Sequence, residues 1–381
     1  MSEQGVSAPV PRLSELIEQP PATPSTRRRF LGQASLSLVF GGAALAACRE
    51  EGAEPGAQAA RVQGDSANLG FGNANSRLDS ALQQDPGHGT LSTVPSGEAL
   101  PPLRRFDPAL PPLSSQRTLR LNWRAQEVPV RISADTVVAG WTFEGDIPGP
   151  IVHCRVGDTV EFTLTNQGVV PHSMDFHAAQ IDPKLAFRSV TRGQSVSFSF
   201  KPRWAGAFMY HCGSAPVLMH IGAGMYGALI VSPAEPLPPA REFVLVESEF
   251  YLAAADPNGI RPFDYTKMLS TQPDFLAFNG RPLQYMHDPI RVHRGDRVRF
   301  WLVNCGPTHS CAFHVVGEQF DTVYLGAPPG APVRGVQTWD VAAGGGMCFE
   351  LLCDIAGEFP FVNHGFGHGQ KGAIGFLVVE A

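Results

Sequence analysis

The sequence predicts an all-β chain: two tandem Greek-key β-sandwich domains behind a disordered N-terminal arm. Three observations lead there. Glycine and proline number 40 and 34 among 381 residues, which favours many short strands and tight turns over long helices. Short segments that alternate apolar and polar positions recur from about residue 116 onward. These segments also form an ordered set that occurs twice.

The two copies correspond element by element. RVGDTVEFTLT at 155–165 and RGDRVRFWLVN at 294–304 both place Gly-Asp at a turn before a period-2 strand. A His-bearing strand follows in each, HSMDFHA at 172–178 and CAFHVVG at 311–317. Next come alternating strands, SVSFSFK at 195–201 and MCFELLC at 347–353. Each copy then runs a Gly-aromatic segment into a histidine, GAFMYH at 206–211 and GEFPFVNH at 357–364. Both close on Gly-Ala and a final apolar strand, YGALIV and KGAIGFLVV. Such a duplication marks two sandwiches, 116–236 and 240–381, of the kind that holds metal at one end where loops converge.

The N-terminus reads as an address. Thr26-Arg27-Arg28-Arg29-Phe30-Leu31 resembles a twin-arginine export signal, and Ser35 to Ala47 is small and apolar. That run is short of the about 20 residues that a membrane span needs. It stops at Leu45-Ala46-Ala47-Cys48, which resembles a lipoprotein cleavage box. Residues 1–47 are thus expected to be signal, with Cys48 the lipidated first residue of the mature chain. The rival expectation is ordinary cleavage nearby, leaving a soluble protein. Either way the expected place is the periplasm or cell envelope. Residues 48–115, rich in Gly, Ala, Pro, Ser and Gln, are expected to form a flexible tether. The net charge is −6, with no basic run beyond the export signal, so nothing points to nucleic acid.

The most informative string is HCGSAPVLMHIGAGM. It holds His211, Cys212, His220 and Met225. Two His and one Cys in a plane with a weak axial Met are the ligands of a blue electron-transfer copper. The missing His is expected from an earlier strand, where PHSMDFHAA offers His172. A lone Cys is ordinarily a small core residue and a lone Met a gap-filler. The ordered set, with Gly222 and Gly224 between the last two, favours copper over that bland reading. Of the other cysteines, Cys154, Cys305, Cys311, Cys348 and Cys353, none forms a C-x-x-C pair. Cys348 and Cys353 stand an odd number apart in one expected strand, so they should face opposite sides.

A second constellation lies on the other face. His211 and Cys212 are adjacent, and His172 and His177 are five residues apart. In regular strands the members of each pair point opposite ways. With Cys212 and His172 inward, His177, His211 and Asp175 share the outward face. Two imidazoles are an incomplete metal site. Domain two offers His309, His314, His364 and His368 for the third ligand. His153, His287 and His293 are better read as surface or satisfied core residues.

From about residue 116 to its end the chain resembles copper-containing nitrite reductase, a family of two cupredoxin-like domains and usually a homotrimer. The resemblance implies one type 1 copper per subunit on His172, Cys212, His220 and Met225. It implies one type 2 copper on His177, His211 and, in the segment Val362-Asn363-His364, His364 of a neighbouring subunit. It implies Asp175 and His314 as the catalytic pair. An electron would enter at type 1 copper from an external donor, a small cupredoxin or c-type cytochrome, and pass through His211-Cys212. The substrate would be nitrite and the product nitric oxide. The chain departs from better-known members after His364, with GFGHGQKGAIG and an extra His368, and at Val316, where they carry a bulkier aliphatic residue.

Three rivals remain. A two-domain multicopper oxidase, laccase-like and dioxygen-reducing, needs about eight His in H-x-H pairs plus H-C-H. This chain has HCG and DFH instead. Another small-molecule oxidoreductase could use the same type 2 copper. A plain electron carrier would have no use for His177, His211 and Asp175.

Overall fold

The computed structural model describes residues 90–91 and 100–381 apart from Pro329. The expected export signal, Cys48 and most of the expected tether lie outside the described residues.

Strands dominate, arranged as two sandwiches. In the first, a five-stranded sheet carries, in spatial order, Ile260–Arg261, Val137–Phe143, Thr118–Arg131, Thr159–Asn166 and Ser195–Phe200. It faces a four-stranded sheet of Val152–Arg155, Tyr226–Ser232, Gly206–His211 and Asp175–Phe176. In the second, a six-stranded sheet orders Phe275–Phe278, Arg241–Phe250, Arg297–Asn304, Gly346–Leu352, Phe320–Tyr324 and Pro332–Val336. Its five-stranded partner orders Ile290–His293, Ile374–Glu380, Gly357–Asn363, Cys311–Val315 and Thr338–Val341. Each sandwich opens with the same parallel pairing across the key. Thr118 runs beside Thr159, and Arg241 beside Val298.

The alternation read in the sequence has its expected cause. Thr159–Asn166 buries every second residue because one face meets the core and the other meets solvent. The Gly-Asp turns before the paired strands need a left-handed residue, and Gly157 (φ +77°) and Gly295 (φ +95°) supply it. Tyr226–Ser232 breaks the alternation, with all seven residues buried. It lies between its own core and the second sandwich, whose Trp301, Val303, Cys305 and Cys348 join the first hydrophobic core. Gly227 leaves room for the Tyr210 side chain of the paired strand, since a Cβ there would lie 2.2 Å from the Tyr210 hydroxyl.

Two expectations change. The tether reading fails over residues 100–115. Leu110 N donates to Glu242 O at 3.0 Å and Val244 N to Pro108 O at 2.7 Å. The Gln284 side chain exchanges two 2.8 Å bonds with the Phe106 backbone. Prolines hold this stretch extended, and its free carbonyls find donors on a sheet edge without any hydrophobic periodicity. The strand read at 172–178 also shrinks to Asp175–Phe176, with His172 joined to Val190 through one isolated bridge.

The six described cysteines are free and buried. Cys348 belongs to the first core and Cys353 to the second, because Gly346–Leu352 runs between them. His153 is a satisfied residue, bonded to Pro111 O at 2.6 Å and Ser232 Oγ at 2.8 Å.

Candidate metal centres

Two His/Cys/carboxylate groups with metal-ligand spacing occur among the described residues: His172 with Cys212 and His220, and Asp175 with His177 and His211.

The first group is enclosed. His172 and Cys212 are fully buried, as is Met225, and His220 is 3% exposed. Cys212 Sγ lies 3.2 Å from His220 Nδ1, and His172 Nδ1 lies 3.3 Å from the same nitrogen. His220 stands on a short helix, Val217–Gly222, that the sequence reading did not foresee. The helix ends so that Met225 N donates to His220 O at 3.1 Å and Cys212 N to Met225 O at 3.0 Å. Those two bonds draw both loop ends to the end of the Gly206–His211 strand. Gly224 is required in that return: its φ is +117°, and a Cβ would lie 2.3 Å from Ile147.

One orienting residue was invisible in the sequence. Glu127, 7% exposed, takes His172 Nε2–H at 2.9 Å and the amides of Val169 and Val170 at 2.8 and 3.2 Å. This fixes the His172 tautomer and leaves Nδ1 bare toward Cys212. A Glu in a distant strand, 45 residues from its partner, carries no local signal. Burial pushes the Glu127 carboxyl up, but His172 and the two amides outweigh it and hold it below the usual range. Burial also pushes the Cys212 thiol up, yet His172 and the backbone amides of Ser173 and Ser214 leave it below an ordinary thiol. Ser173 N donates to the sulfur at 3.3 Å. His220, buried against Trp141 at 4.8 Å between ring centroids, falls to about 3, so it stays neutral. A thiol and two imidazole nitrogens that converge in an apolar pocket fit a soft transition metal.

The second group is open to solvent on one side. His177 Nδ1 donates to Gly344 O at 3.1 Å and His211 Nδ1 to Cys212 O at 2.9 Å. Both Nε2 atoms therefore carry lone pairs, and they converge to 3.1 Å. Two acceptors aimed at each other at that distance fit a cation placed between them. Asp175 pairs directly with His211 across the sheet, and its Oδ2 lies 3.7 Å from His211 Nε2. Burial, then the His211 charge, depresses the His177 pKa.

His314 and His364 form a separate pair. Their rings stand 5.4 Å apart at the end of the second sandwich, and the exposed His364 ring rests on Phe366 at 4.7 Å. His314 Nδ1 donates to Gln337 O at 2.6 Å. Within one chain the structure groups Asp175 with His177 and His211 and does not add His364 to that group.

Fold and donor sets together define a two-domain copper protein of the cupredoxin class. Residues 124–236 match the multicopper oxidase family. The copper-containing nitrite reductase of Neisseria meningitidis is 40% identical over 249 residues, covering 63% of this chain and 64% of that protein. The one from Cereibacter sphaeroides is 30% identical over 286 residues, covering 68% and 75%. Among solved structures, copper nitrite reductase from Nitrosomonas europaea superposes with a TM-score of 0.64 at 34% identity, covering 69% of this chain and 94% of that one. A crystal structure of a multicopper oxidase gives 0.61 at 27%, covering 69% and 89%. The chain belongs to the copper-containing nitrite reductase family. It spans 63–64% of the length of the Neisseria members.

Proposed function

We propose that this protein reduces nitrite to nitric oxide and water, consuming one electron and two protons per nitrite. The observation that carries the proposal is the His211-Cys212 peptide, whose two side chains enter two different ligand clusters. An electron carrier needs only the enclosed cluster.

In this reading His172, Cys212, His220 and Met225 hold a type 1 copper, and His177 and His211 hold a type 2 copper with His364 of a neighbouring subunit. The bound coppers supply one-electron redox chemistry and, at the exposed cluster, a Lewis-acid point for substrate. The chain's own residues do the rest. Glu127 and the Ser173 amide orient and polarise the enclosed ligands. The carbonyls of Gly344 and Cys212 hold both outward imidazoles in the ligating tautomer. Asp175, beside His211 Nε2, is placed to hold one proton, and His314, anchored through Nδ1, offers Nε2 for another. A cleft of about 770 Å³ lies beside His177, walled by Trp204, Phe208, Leu325 and Pro328. In this reading a neighbouring copy, in a homotrimer, brings His364 to the His177–His211 pair.

The proposal takes over the sequence expectations: twin-arginine export, a periplasmic or envelope location with either a Cys48 lipid anchor or a soluble mature chain, and a small cupredoxin or c-type cytochrome as donor. The multicopper oxidase neighbour keeps dioxygen reduction as the second reading. The deciding experiment loads the full chain with copper, records EPR, and assays nitric oxide release with an artificial donor. Two distinct EPR-visible coppers per subunit and nitrite-dependent nitric oxide support the proposal. An EPR-silent coupled pair with oxygen uptake overturns it.

A further inference from the structure

The second sandwich contains a closed counterpart of the enclosed copper pocket, and the correspondence can be traced bond by bond. In the first sandwich Asn166 Nδ2 donates to Val170 O and Val190 O, both at 2.7 Å, while its Oδ1 accepts from Gly168 N. In the second, Asn304 Nδ2 donates to His309 O and Val341 O, both at 2.9 Å, and its Oδ1 accepts from Gly306 N. Glu127 takes the amides of Val169 and Val170; Glu249 takes those of Thr308 and His309 at 3.2 and 2.6 Å. His172 bridges Val190, and Cys311 pairs with Val341. Cys212 N donates to Met225 O; Asn363 N donates to Ala373 O, both at 3.0 Å. Met225 N donates to His220 O, and Ala373 N to His368 O.

The ligand positions follow from these bonds. Cys311 stands for His172, Asn363 for Cys212, His368 for His220 and Ala373 for Met225. The pocket has lost its thiolate and its thioether, and the Asn363 side chain fills it. Asn363 is 1% exposed. Its Nδ2 donates to Glu247 Oε1 at 2.6 Å, lies 3.4 Å from Ser310 O and stands 3.3 Å from His368 Nδ1. The first sandwich keeps almost that last spacing between Cys212 Sγ and His220 Nδ1. The amide N–H groups thus meet the acceptors that a cation would otherwise meet. Glu247, 2% exposed, is the buried anchor beneath them and has no use in the mechanism above.

This plug grips the backbone on both sides of His364. Asn363 is the residue before it, tied through N to Ala373 O and through Nδ2 to Glu247. Gly365 is the residue after it, and its N–H donates to Asn363 Oδ1 at 3.0 Å. His364 N itself donates to Ala312 O at 2.7 Å. Among the described residues, the exposed ring has Phe366 and His314 as its ring neighbours. Its aim is therefore set by backbone that Asn363 holds.

We propose that the Asn363–Glu247 plug in the degenerate copper pocket of the second sandwich is the positioning device for His364. The inference rests on the reading of His364 as the third type 2 copper ligand. A metal pocket that no longer binds metal would then serve as the rigid mount for a ligand to the neighbouring subunit's metal. Outer partners of metal ligands typically change affinity by about 10–100-fold when removed, which sets the expected scale.

The test titrates copper into metal-depleted full-length protein, following the type 2 EPR signal and the blue absorption separately. Glu247→Ala and Asn363→Ala should each weaken type 2 copper binding about 10–100-fold and broaden its EPR hyperfine pattern, with the blue band intact. Glu247→Gln keeps an acceptor for the Asn363 amide and should restore near-native type 2 binding. Native type 2 affinity and spectrum in both alanine variants overturn the proposal. So does parallel loss of both signals, because the plug would then serve the whole fold rather than His364. His364→Ala serves as the separate control. If that variant keeps the type 2 signal, the ligand reading fails whatever the plug variants do.

Discussion

His211 and Cys212 share one peptide bond yet belong to different sites. His211 Nε2 lies 3.1 Å from His177 Nε2 on the outer side, and Cys212 Sγ lies 3.2 Å from His220 Nδ1 inside the first sandwich. Adjacent residues at a strand end face opposite ways, so one short segment serves both clusters. This gives a separable expectation. Cys212→Ala should remove the blue absorption and keep the type 2 EPR signal. His211→Ala should do the reverse. Both should stop turnover with an external donor. Loss of both signals in either variant would show one merged site.

His364 stands apart from the His177–His211 pair within a chain, so the catalytic copper should need two subunits. His364→Ala chains and His177→Ala chains should each be inactive alone. Mixed oligomers, formed by co-expression, should recover a measurable fraction of native activity. No recovery in purified mixed oligomers would place the third ligand within the same chain.

Asp175→Asn and His314→Gln should retain both coppers and lower nitrite turnover by about 10²–10⁴-fold, the usual contribution of a positioned proton donor. Copper content by mass spectrometry and steady-state rates check this. Unchanged rates would leave both residues as orienting groups only.

Glu127→Ala should destabilise the metal-depleted protein by about 1–3 kcal/mol, since the amides of Val169 and Val170 and the His172 Nε2–H lose a buried acceptor. Urea unfolding measures it. The blue band should also shift, because His172 loses the partner that fixes its tautomer.

Glu247 makes stability depend on pH. Burial, with the nearby Glu249 charge, pushes its carboxyl up to about 8 against the bonds from Asn363 and Cys311. The folded state thus holds a proton that the unfolded state releases near the ordinary value of 4.5. Between those values the native state binds more protons, so stability falls as pH rises, by up to about 1.4 kcal/mol per pH unit. The decline should flatten above about 8. Urea unfolding of metal-depleted Glu247→Gln from pH 5 to 8 should lack this share of the slope. An identical slope in the variant would mean that Glu247 is already ionised at low pH.

Much of the fold was legible because strand alternation is a local property. Thr159–Asn166 and Arg297–Asn304 announce themselves by period and by the Gly-Asp turn before them. Strand alternation also separates His177 and His211 from Cys212, although over 172–178 the structure has only two strand residues, Asp175–Phe176. The order of residues 100–115 is not legible in the sequence, because extended, proline-rich backbone carries no period even when it pairs with a sheet.

By itself the sequence determined which residue types stand next to each other: a thiol beside an imidazole, a methionine after a histidine, two copies of one strand order. These follow from covalent order and side-chain alternation. Only the tertiary structure decided the partners that lie far apart along the chain. Glu127 reaches His172, Gly344 O sets the His177 tautomer, and Glu247 anchors Asn363 across 116 residues. Such contacts arise from buried donors and acceptors that must be satisfied wherever the packed sheets bring them together, and no sequence spacing encodes that requirement.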